Sequence, residues 1–256
     1  MANELAGLRL LNTRPAAQAA GLSAALRKAG AEVLELPLIE IEPLPVEGAT
    51  RQLLLDLDRY DYVFFVSANA ARLGLEAIAG YWPQWPHRLP ALAVGRATAA
   101  LLEAAGLTVI CPGQEDSDGV LALPALASPA GLRLLLLRGD EGRELVADSL
   151  RAQGAQVDVL PLYRRVLPAG AAGLWQALRS PLPDWVLLTS PAAWRHWQQV
   201  AGAEATSPGL LVVSPRLLEQ AQAAGAKKTL LAEGAGADAI TACLRCWRAG
   251  AGRAIQ

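Results

Sequence analysis

The sequence is poor in the residues that most often announce chemistry. Three cysteines, Cys111, Cys243 and Cys246, are too few for a disulfide framework. Cys243 and Cys246 have CxxC spacing, but they lie in a terminal helical segment with no second ligand pair, which argues against a zinc or redox centre. Only two histidines are present, His87 and His196, and neither stands beside a serine at the end of a strand, so a Ser-His-Asp triad finds no support. A formal net charge of −1 gives no global attraction to nucleic acid or to anionic membranes. Any capacity to bind anions is therefore local. No stretch approaches the ~18 unbroken apolar residues that cross a bilayer. The opening MANELAGLRLLNTRP lacks a basic segment followed by a long apolar core, so the expectation is a cytoplasmic protein without a secretory signal. No Walker loop occurs. Gly234-Ala235-Gly236-Ala237-Asp238-Ala239 resembles a weakened dinucleotide fingerprint, but it follows the last strand and lacks the downstream acidic residue, so it reads as a helix-start turn. The Trp- and Pro-rich loop at 81–90 and the Trp194/Trp197 pair read as packing or surface cover.

What is present is apolar and repetitive. A hydrophobic share of 53% against 18% charged residues describes a chain that fills cores, and its excess of Ala and Leu points to helices. Residues 131–166 are a second copy of residues 7–41. Gly7-Leu8-Arg9-Leu10-Leu11 recurs as Gly131-Leu132-Arg133-Leu134-Leu135, Arg14 answers Arg138, Gly30 answers Gly154, and Leu36-Pro37-Leu38 answers Leu160-Pro161-Leu162, all at one constant spacing. Across 256 residues such a duplication favours two small domains over one large one.

Each copy reads as strand, helix, strand. In the first, residues 8–12 form a buried parallel strand, and Thr13 caps a helix whose first turn takes Pro15. That helix keeps Leu22, Ala25, Leu26 and Ala29 on one face and stops at Gly30. Residues 61–67 and 184–190 match in turn, each an apolar strand delivering a serine, Ser67 or Ser190, to a helix start. The strand and turn at Ala93-Val94-Gly95 match Leu211-Val212-Val213-Ser214-Pro215, and Ser117 is expected to cap a helix running through Val120, Leu121 and Leu123. Both halves are βαβα series with short loops. The fold class is α/β, with parallel sheets flanked by helices.

Ligands of open parallel sheets collect beyond the carboxyl ends of the strands, where helix N-termini present free amides. Those positions hold Thr13-Arg14, Ser67, Gly95-Arg96-Ala97-Thr98, Arg138-Gly139, Ser190, Ser214-Pro215-Arg216 and Gly234-Ala235-Gly236. Any one serine has an ordinary reading as a cap. As a set, helix ends with arginines suit a polyanionic ligand, each end contributing ~0.3–1 kcal/mol toward a carboxylate. Tyr163 stands apart. It is followed by Arg164 and Arg165, where the first copy has Ile39-Glu40-Ile41. It is either a hydroxyl presented to a cleft as donor or general acid, or a half-buried strand tyrosine.

Taken in order, Leu11-Asn12-Thr13-Arg14-Pro15, residues 94–99 (VGRATA), residues 137–144 (LRGDEGRE) and Leu162-Tyr163-Arg164-Arg165, with residues 212–217 (VVSPRL) later, resemble the uroporphyrinogen-III synthase family. The resemblance covers nearly the whole chain. It implies two similar α/β domains joined by a two-stranded connector, with the active site in the cleft between them. Domain 1 is then 1–36 plus 168–256, domain 2 is 45–158, and the connectors are 37–44 and 159–167. It implies closure of hydroxymethylbilane to uroporphyrinogen III, with loss of water and inversion of the last pyrrole ring, and no metal or organic cofactor. The expected partners are the linear tetrapyrrole polycarboxylate and a transient contact with the preceding enzyme of the pathway, with no nucleic acid, no membrane, and a monomeric state. Tyr163 occupies the position of the family's tyrosine and is the expected proton donor; Arg14, Ser67, Thr98, Arg138, Gly139, Ser190, Ser214 and Arg216 are the expected substrate-binding residues. The chain departs from the pattern at Pro215-Arg216-Leu217, where family members often carry a threonine; Arg216 either replaces that contact or caps a helix. Two α/β lobes with paired connectors also describe a non-catalytic anion-binding protein of periplasmic-receptor architecture. The expected lack of a signal segment weighs against it.

Overall fold

Four consecutive leucines, Leu134–Leu137, are all buried in the computed structural model, which describes residues 4–141 and 145–250. Successive strand residues point to opposite faces, so such a run requires a helical layer on each side. The chain supplies them in two compact units, Met1–Glu40 with Val166–Gln256, and Ile41–Arg165.

The first unit contains β1 (Arg9–Asn12), α1 (Ala16–Lys28) and β2 (Glu32–Glu35), followed much later by α7 (Ala171–Leu178), β9 (Trp185–Leu188), α8 (Pro191–Ala201), β10 (Gly209–Val212), α9 (Pro215–Ala223), β11 (Thr229–Leu231) and α10 (Ala237–Arg248). The second runs through α2 (Gly48–Leu55), β4 (Tyr62–Phe65), α3 (Ala68–Ala79), β5 (Ala91–Ala93), α4 (Arg96–Ala104), β6 (Val109–Ile110), α5 (Ser117–Leu121), β7 (Arg133–Gly139), α6 (Leu145–Ala152) and β8 (Gln156–Val166). A short strand, β3 (Glu40–Pro43), lies at the outer edge of the second sheet beside β8.

The sheet orders are β2-β1-β9-β10-β11 and, inward of the edge strand β3, β8-β7-β4-β5-β6, and the pairs within these two five-strand series are parallel. The two orders correspond strand for strand. They differ in chain order: the first unit visits its β2-β1 pair before the other three strands, and the second visits the matching β8-β7 pair last. The units are circular permutations of one plan, which is why the repeat restarts at Gly131. Counted along the chain, the first sheet has the 2-1-3-4-5 order of doubly wound folds, whose ligand crevice opens where the order reverses. That reversal falls between β1 and β9, and correspondingly between β7 and β4.

Alternation sets the layers of the second unit. Val63, Phe65, Ala91, Ala93, Leu135 and Leu137 form one core with residues of α2, α3 and α4. Phe64, Leu92, Leu134 and Leu136 form another with residues of α5 and α6. In the first unit Leu10, Trp185, Leu187, Leu211 and Leu230 pack with α1 and α10. Both copies end their helix on a glycine in the left-handed region, Gly30 at φ 98° and Gly154 at φ 90°, a conformation that side chains with a Cβ resist. No helix among the described residues is long and apolar enough to cross a membrane.

Two capping expectations are corrected. Thr13 does not cap α1: its hydroxyl donates to the Leu187 carbonyl, tying the end of β1 to β9, and Pro15 precedes the helix with no side-chain cap. Asp116, rather than Ser117, caps α5 by accepting from the Gly119 amide at 2.8 Å, and the helix ends at Leu121. Leu123 precedes Pro124 and is extended (ψ 133°), because a proline disfavours the helical region for the residue before it.

Candidate active site

The position of Tyr163 is set by an irregularity in β8. Arg138 pairs with Pro161, but Gly139 pairs with Tyr163, so Leu162 is an extra residue without a partner on β7. Pro161 has no amide to give the ladder, and a bulge there re-aims the side chains that follow. Leu160, Leu162 and Tyr163 all enter the same core, whereas simple alternation would send Leu162 and Tyr163 to opposite faces. Tyr163 is wholly buried, its ring against the backbone of Gly139. A Cβ at Gly139 would lie 2.8 Å from Cε2 and 3.1 Å from Cζ of that ring, so no other residue fits without moving it.

Tyr163 Oη lies 3.0 Å from Ser67 Oγ and receives a hydrogen bond of 3.3 Å from Arg165 Nη2. The Arg165 guanidinium carbon also stands 5.4 Å from the centre of the Tyr163 ring, within cation–π range. Ser67 is the N-cap of α3 and accepts from the Ala70 amide at 3.1 Å. These groups line a pocket of about 200 Å3 at the β7/β4 reversal, together with Arg138, Gly139, Glu141 and Ser117, over an apolar floor that includes Val94, Leu136 and Ala147. Arg138 is 6% exposed, and its Nε donates to the Gly139 carbonyl at 2.9 Å. Arg164 makes two bonds to Glu42 of β3, at 3.0 and 2.5 Å. The hydrogen bond from Arg164 holds the Glu42 carboxyl below the usual carboxylate range.

Thr98 is not among the residues lining this pocket. It is 3% exposed in the first turn of α4. The N-terminus of that helix already holds a carboxylate of the chain: Glu115 Oε1 accepts from the Arg96 amide at 3.1 Å and packs against Gly95.

In the first unit, Ser190 and Ser214 cap α8 and α9, accepting from Ala193 at 3.1 Å and Leu217 at 3.3 Å. Arg14 is partly buried beyond the end of β1, its Nη1 donating to the Ala235 carbonyl at 3.0 Å, and its Nε is buried without a partner. Arg216 is exposed in the first turn of α9, with no ion pair or hydrogen bond among the described residues. Of the nine expected residues, the structure therefore gathers Tyr163, Ser67, Arg138 and Gly139 around one pocket and leaves Thr98 outside it. Arg14, Ser190, Ser214 and Arg216 stand at strand ends of the other unit. Residues 142–144, the end of the LRGDEGRE motif, lie outside the described residues. Sequence reasoning named Arg165 beside Tyr163 without giving it a role, and it missed Glu115. A two-residue step from Tyr163 along a strand was the available signal for Arg165; nothing local pointed to Glu115. Among the described residues no group of three or more His, Cys, Asp or Glu side chains is placed to hold a metal ion.

Parallel sheets of this order, with a tyrosine, a serine cap and two arginines at a strand-order reversal, define an α/β protein suited to a small anionic ligand. The family model described as uroporphyrinogen-III synthase HemD matches residues 20–242. The uroporphyrinogen-III synthase of Escherichia coli K12 is 32% identical over 260 residues, covering 93% of this chain and 100% of that one; its Salmonella typhimurium LT2 counterpart is 30% identical over 264 residues at the same coverage. The chain belongs to the uroporphyrinogen-III synthase family. Its fold is similar to a crystal structure of a mutant uroporphyrinogen III synthase from the extremely thermophilic bacterium Thermus thermophilus, at TM-score 0.65 and 20% identity over 93% of this chain and 98% of that one. It is similar also to uroporphyrinogen-III synthetase from Helicobacter pylori 26695, at TM-score 0.60 and 15% identity over 92% and 97%.

Proposed function

We propose that this chain converts hydroxymethylbilane to uroporphyrinogen III, a carbon–oxygen lyase reaction in which the linear tetrapyrrole loses water and closes with its last ring inverted. The observation that carries the reading is the Tyr163 hydroxyl, seated between Ser67 and Arg165 in the wall of the pocket. In the first step the C–O bond of the hydroxymethyl group breaks, its electron pair going to oxygen. Tyr163 gives its proton to that oxygen, so that water departs instead of hydroxide. The electron-rich pyrrole carries the positive charge left on the methylene carbon. The substituted carbon of the last ring then attacks, giving a spiro intermediate that rearranges to the inverted ring. No strong protein nucleophile is required. What is required is placement, which contributes up to ~7–11 kcal/mol when ideal.

The pocket supports a division of labour. At about 200 Å3 it is smaller than the ~300–1,000 Å3 typical for drug-sized ligands, so it accommodates one pyrrole ring with its acid arms. The substrate's other carboxylates are assigned to Arg14, Ser190, Ser214 and Arg216, and to Arg138 in the pocket wall; Thr98, buried behind the helix start that Glu115 occupies, is left out of that set. We read the two compact units as the family's two domains, with 37–44 and 159–167 as the connectors, and the protein as a cytoplasmic monomer that takes its unstable substrate from the preceding enzyme. The test is to supply hydroxymethylbilane and separate the oxidised porphyrin isomers. Isomer III is expected; accumulation of isomer I alone, the product of uncatalysed closure, overturns the reading.

A further inference from the structure

We propose that Arg165 is a positioning residue for Tyr163, directing its phenolic proton into the pocket and holding the charge that remains once the proton has left. The inference deepens the reading of Tyr163 as proton donor and rests on it.

A phenolic hydroxyl has one proton and accepts through its lone pairs, whereas a guanidinium only donates. Arg165 Nη2, 3.3 Å away, therefore fills an acceptor direction of Tyr163 Oη. Ser67 Oγ, 3.0 Å away, already accepts from the Ala70 amide, and its own proton is available to Tyr163 Oη. The Ser67 bond can run either way; in the arrangement where Ser67 donates beside Arg165, both lone pairs of the phenolic oxygen are filled and its proton turns to the side of the pocket these residues line. After transfer to the departing oxygen, the phenolate faces a guanidinium and a hydroxyl, so the charge created in the step is met by donors already in place. The proton returns to Tyr163 when the closed ring loses its own, and the balance is restored.

Placement along β8 separates Arg165 from its neighbour. Tyr163 and Arg165 are two residues apart and share a face, as their ring-to-guanidinium contact requires. Arg164 is occupied by Glu42 at the strand's other neighbour. Arg164→Gln is thus an internal control for the loss of a β8 arginine.

The experiment compares Arg165→Gln, Arg165→Lys, Arg164→Gln, Tyr163→Phe and the double variant Arg165→Gln/Tyr163→Phe in full-length protein, reading kcat and KM for hydroxymethylbilane, with thermal unfolding as the check on folding. Arg165→Gln is expected to lower kcat about 10-fold, about 1.4 kcal/mol, with KM within about 2-fold, since the bond lost is charge-assisted. Arg165→Lys should recover part of that loss, and Arg164→Gln should match the parent. In the Tyr163→Phe background the further loss from Arg165→Gln should vanish, because the oxygen it serves is gone. Multiplying losses, or a rise in KM with kcat preserved, would mean that Arg165 binds a substrate carboxylate directly, and would overturn the inference while leaving Tyr163 in place. If Tyr163→Phe itself turns over normally, the proton-donor reading fails first and separately.

Discussion

The two copies of the strand–helix–strand repeat share a backbone and differ in what fills it. Some contacts are common to both: Arg27 donates to the Val33 carbonyl at 3.1 Å, and its counterpart Arg151 donates to the Val157 carbonyl at 2.7 Å. Ser190 and Ser67, at matching strand ends, cap their helices with bonds of 3.1 Å each. Around this shared frame the first copy is polar where the second is apolar. Asn12 Nδ2 donates to Ser23 Oγ at 3.0 Å, and a hydrogen bond from Ser23 is the main reason the Glu35 carboxyl is held below its usual range. At the three corresponding places the second copy carries Leu136, Ala147 and Val159. Two of these, Leu136 and Ala147, line the pocket. Conversely, the first copy has Ile39 where the second has Tyr163. The frame needs a cap and a helix stop. The chemistry proposed for Tyr163 uses a hydroxyl above an apolar floor, and only the second copy has both.

The strongest way to break that comparison is to make the second copy like the first at its hydroxyl. Tyr163→Phe keeps the ring that fills the core and removes the proton; kcat for porphyrinogen formation should fall about 100-fold, the lower end of what a general acid contributes. Unfolding midpoints should shift little, since the hydroxyl's net hydrogen bonds are worth ~0.5–1.5 kcal/mol each. An unchanged kcat would reduce Tyr163 to a packing residue.

Next in size is Gly139→Ala. The new methyl would lie 2.8 Å from a ring with no exposed surface, so strain of ~1–3 kcal/mol should appear in urea unfolding, with lower turnover as the hydroxyl moves. Its counterpart in the first copy is Pro15, whose replacement by alanine should leave turnover unchanged and cost at most ~0.4–1 kcal/mol, through the freer unfolded chain alone. Equal effects at the two positions would remove the distinction between them.

The polar trio sharpens the comparison from the other side. Asn12→Leu alone should cost ~1–3 kcal/mol, because Ser23 is left without its donor in a fully buried place. Adding Ser23→Ala, as in the second copy, should recover part of that loss, so that the double variant costs less than the sum of the singles. The pH dependence has a definite sign. Glu35 has a lowered folded-state pKa, so its contribution is present above the unfolded value and is lost as pH falls through the folded one. Ser23→Ala should therefore flatten the stability loss on the acid side of the usual carboxylate range; an unchanged slope would remove Ser23 from the network.

Much of this frame was legible in the residues, for identifiable reasons. A constant spacing between identical segments points to equivalent backbones, and a short apolar run such as Leu134–Leu137, closed by Arg138-Gly139, fits a strand buried on both faces. Glycines at 30 and 154 mark helix ends because few residues tolerate that conformation. What was illegible depends on partners far away in the chain. Thr13 looked like a cap because its true acceptor, Leu187, is in a strand that only folding brings beside it. Arg165, two residues from Tyr163, was placed on the same face by spacing alone; what was illegible is that Tyr163 turns into the core, which depends on a bulge that appears only when β8 is laid against β7. Glu115 on the first amide of α4 depends on a loop closing over 19 residues.

The smallest expected effect compares two helix starts that read alike. Arg96 opens α4 and Arg216 lies in the first turn of α9, after the matching strands β5 and β10. A cation at a helix N-terminus is disfavoured by the helix dipole, by ~0.3–1 kcal/mol. At α4 the chain compensates: Arg96 pairs with Glu103 at 3.3 Å, and the Glu115 carboxylate covers the amide. At α9 no such partner is present among the described residues, so Arg216 is a cation held in an unfavourable place, which would suit the proposed contact with an anionic substrate. Arg216→Gln should leave the protein equally stable or slightly more so, by up to ~1 kcal/mol, while KM for hydroxymethylbilane rises a few-fold at low salt. The rise should shrink as added salt screens the exposed charge. Arg96→Gln should leave KM unchanged. If both variants raise KM alike, carboxylate binding is spread over both helix starts; if neither does, Arg216 is surface charge and leaves the substrate-binding set.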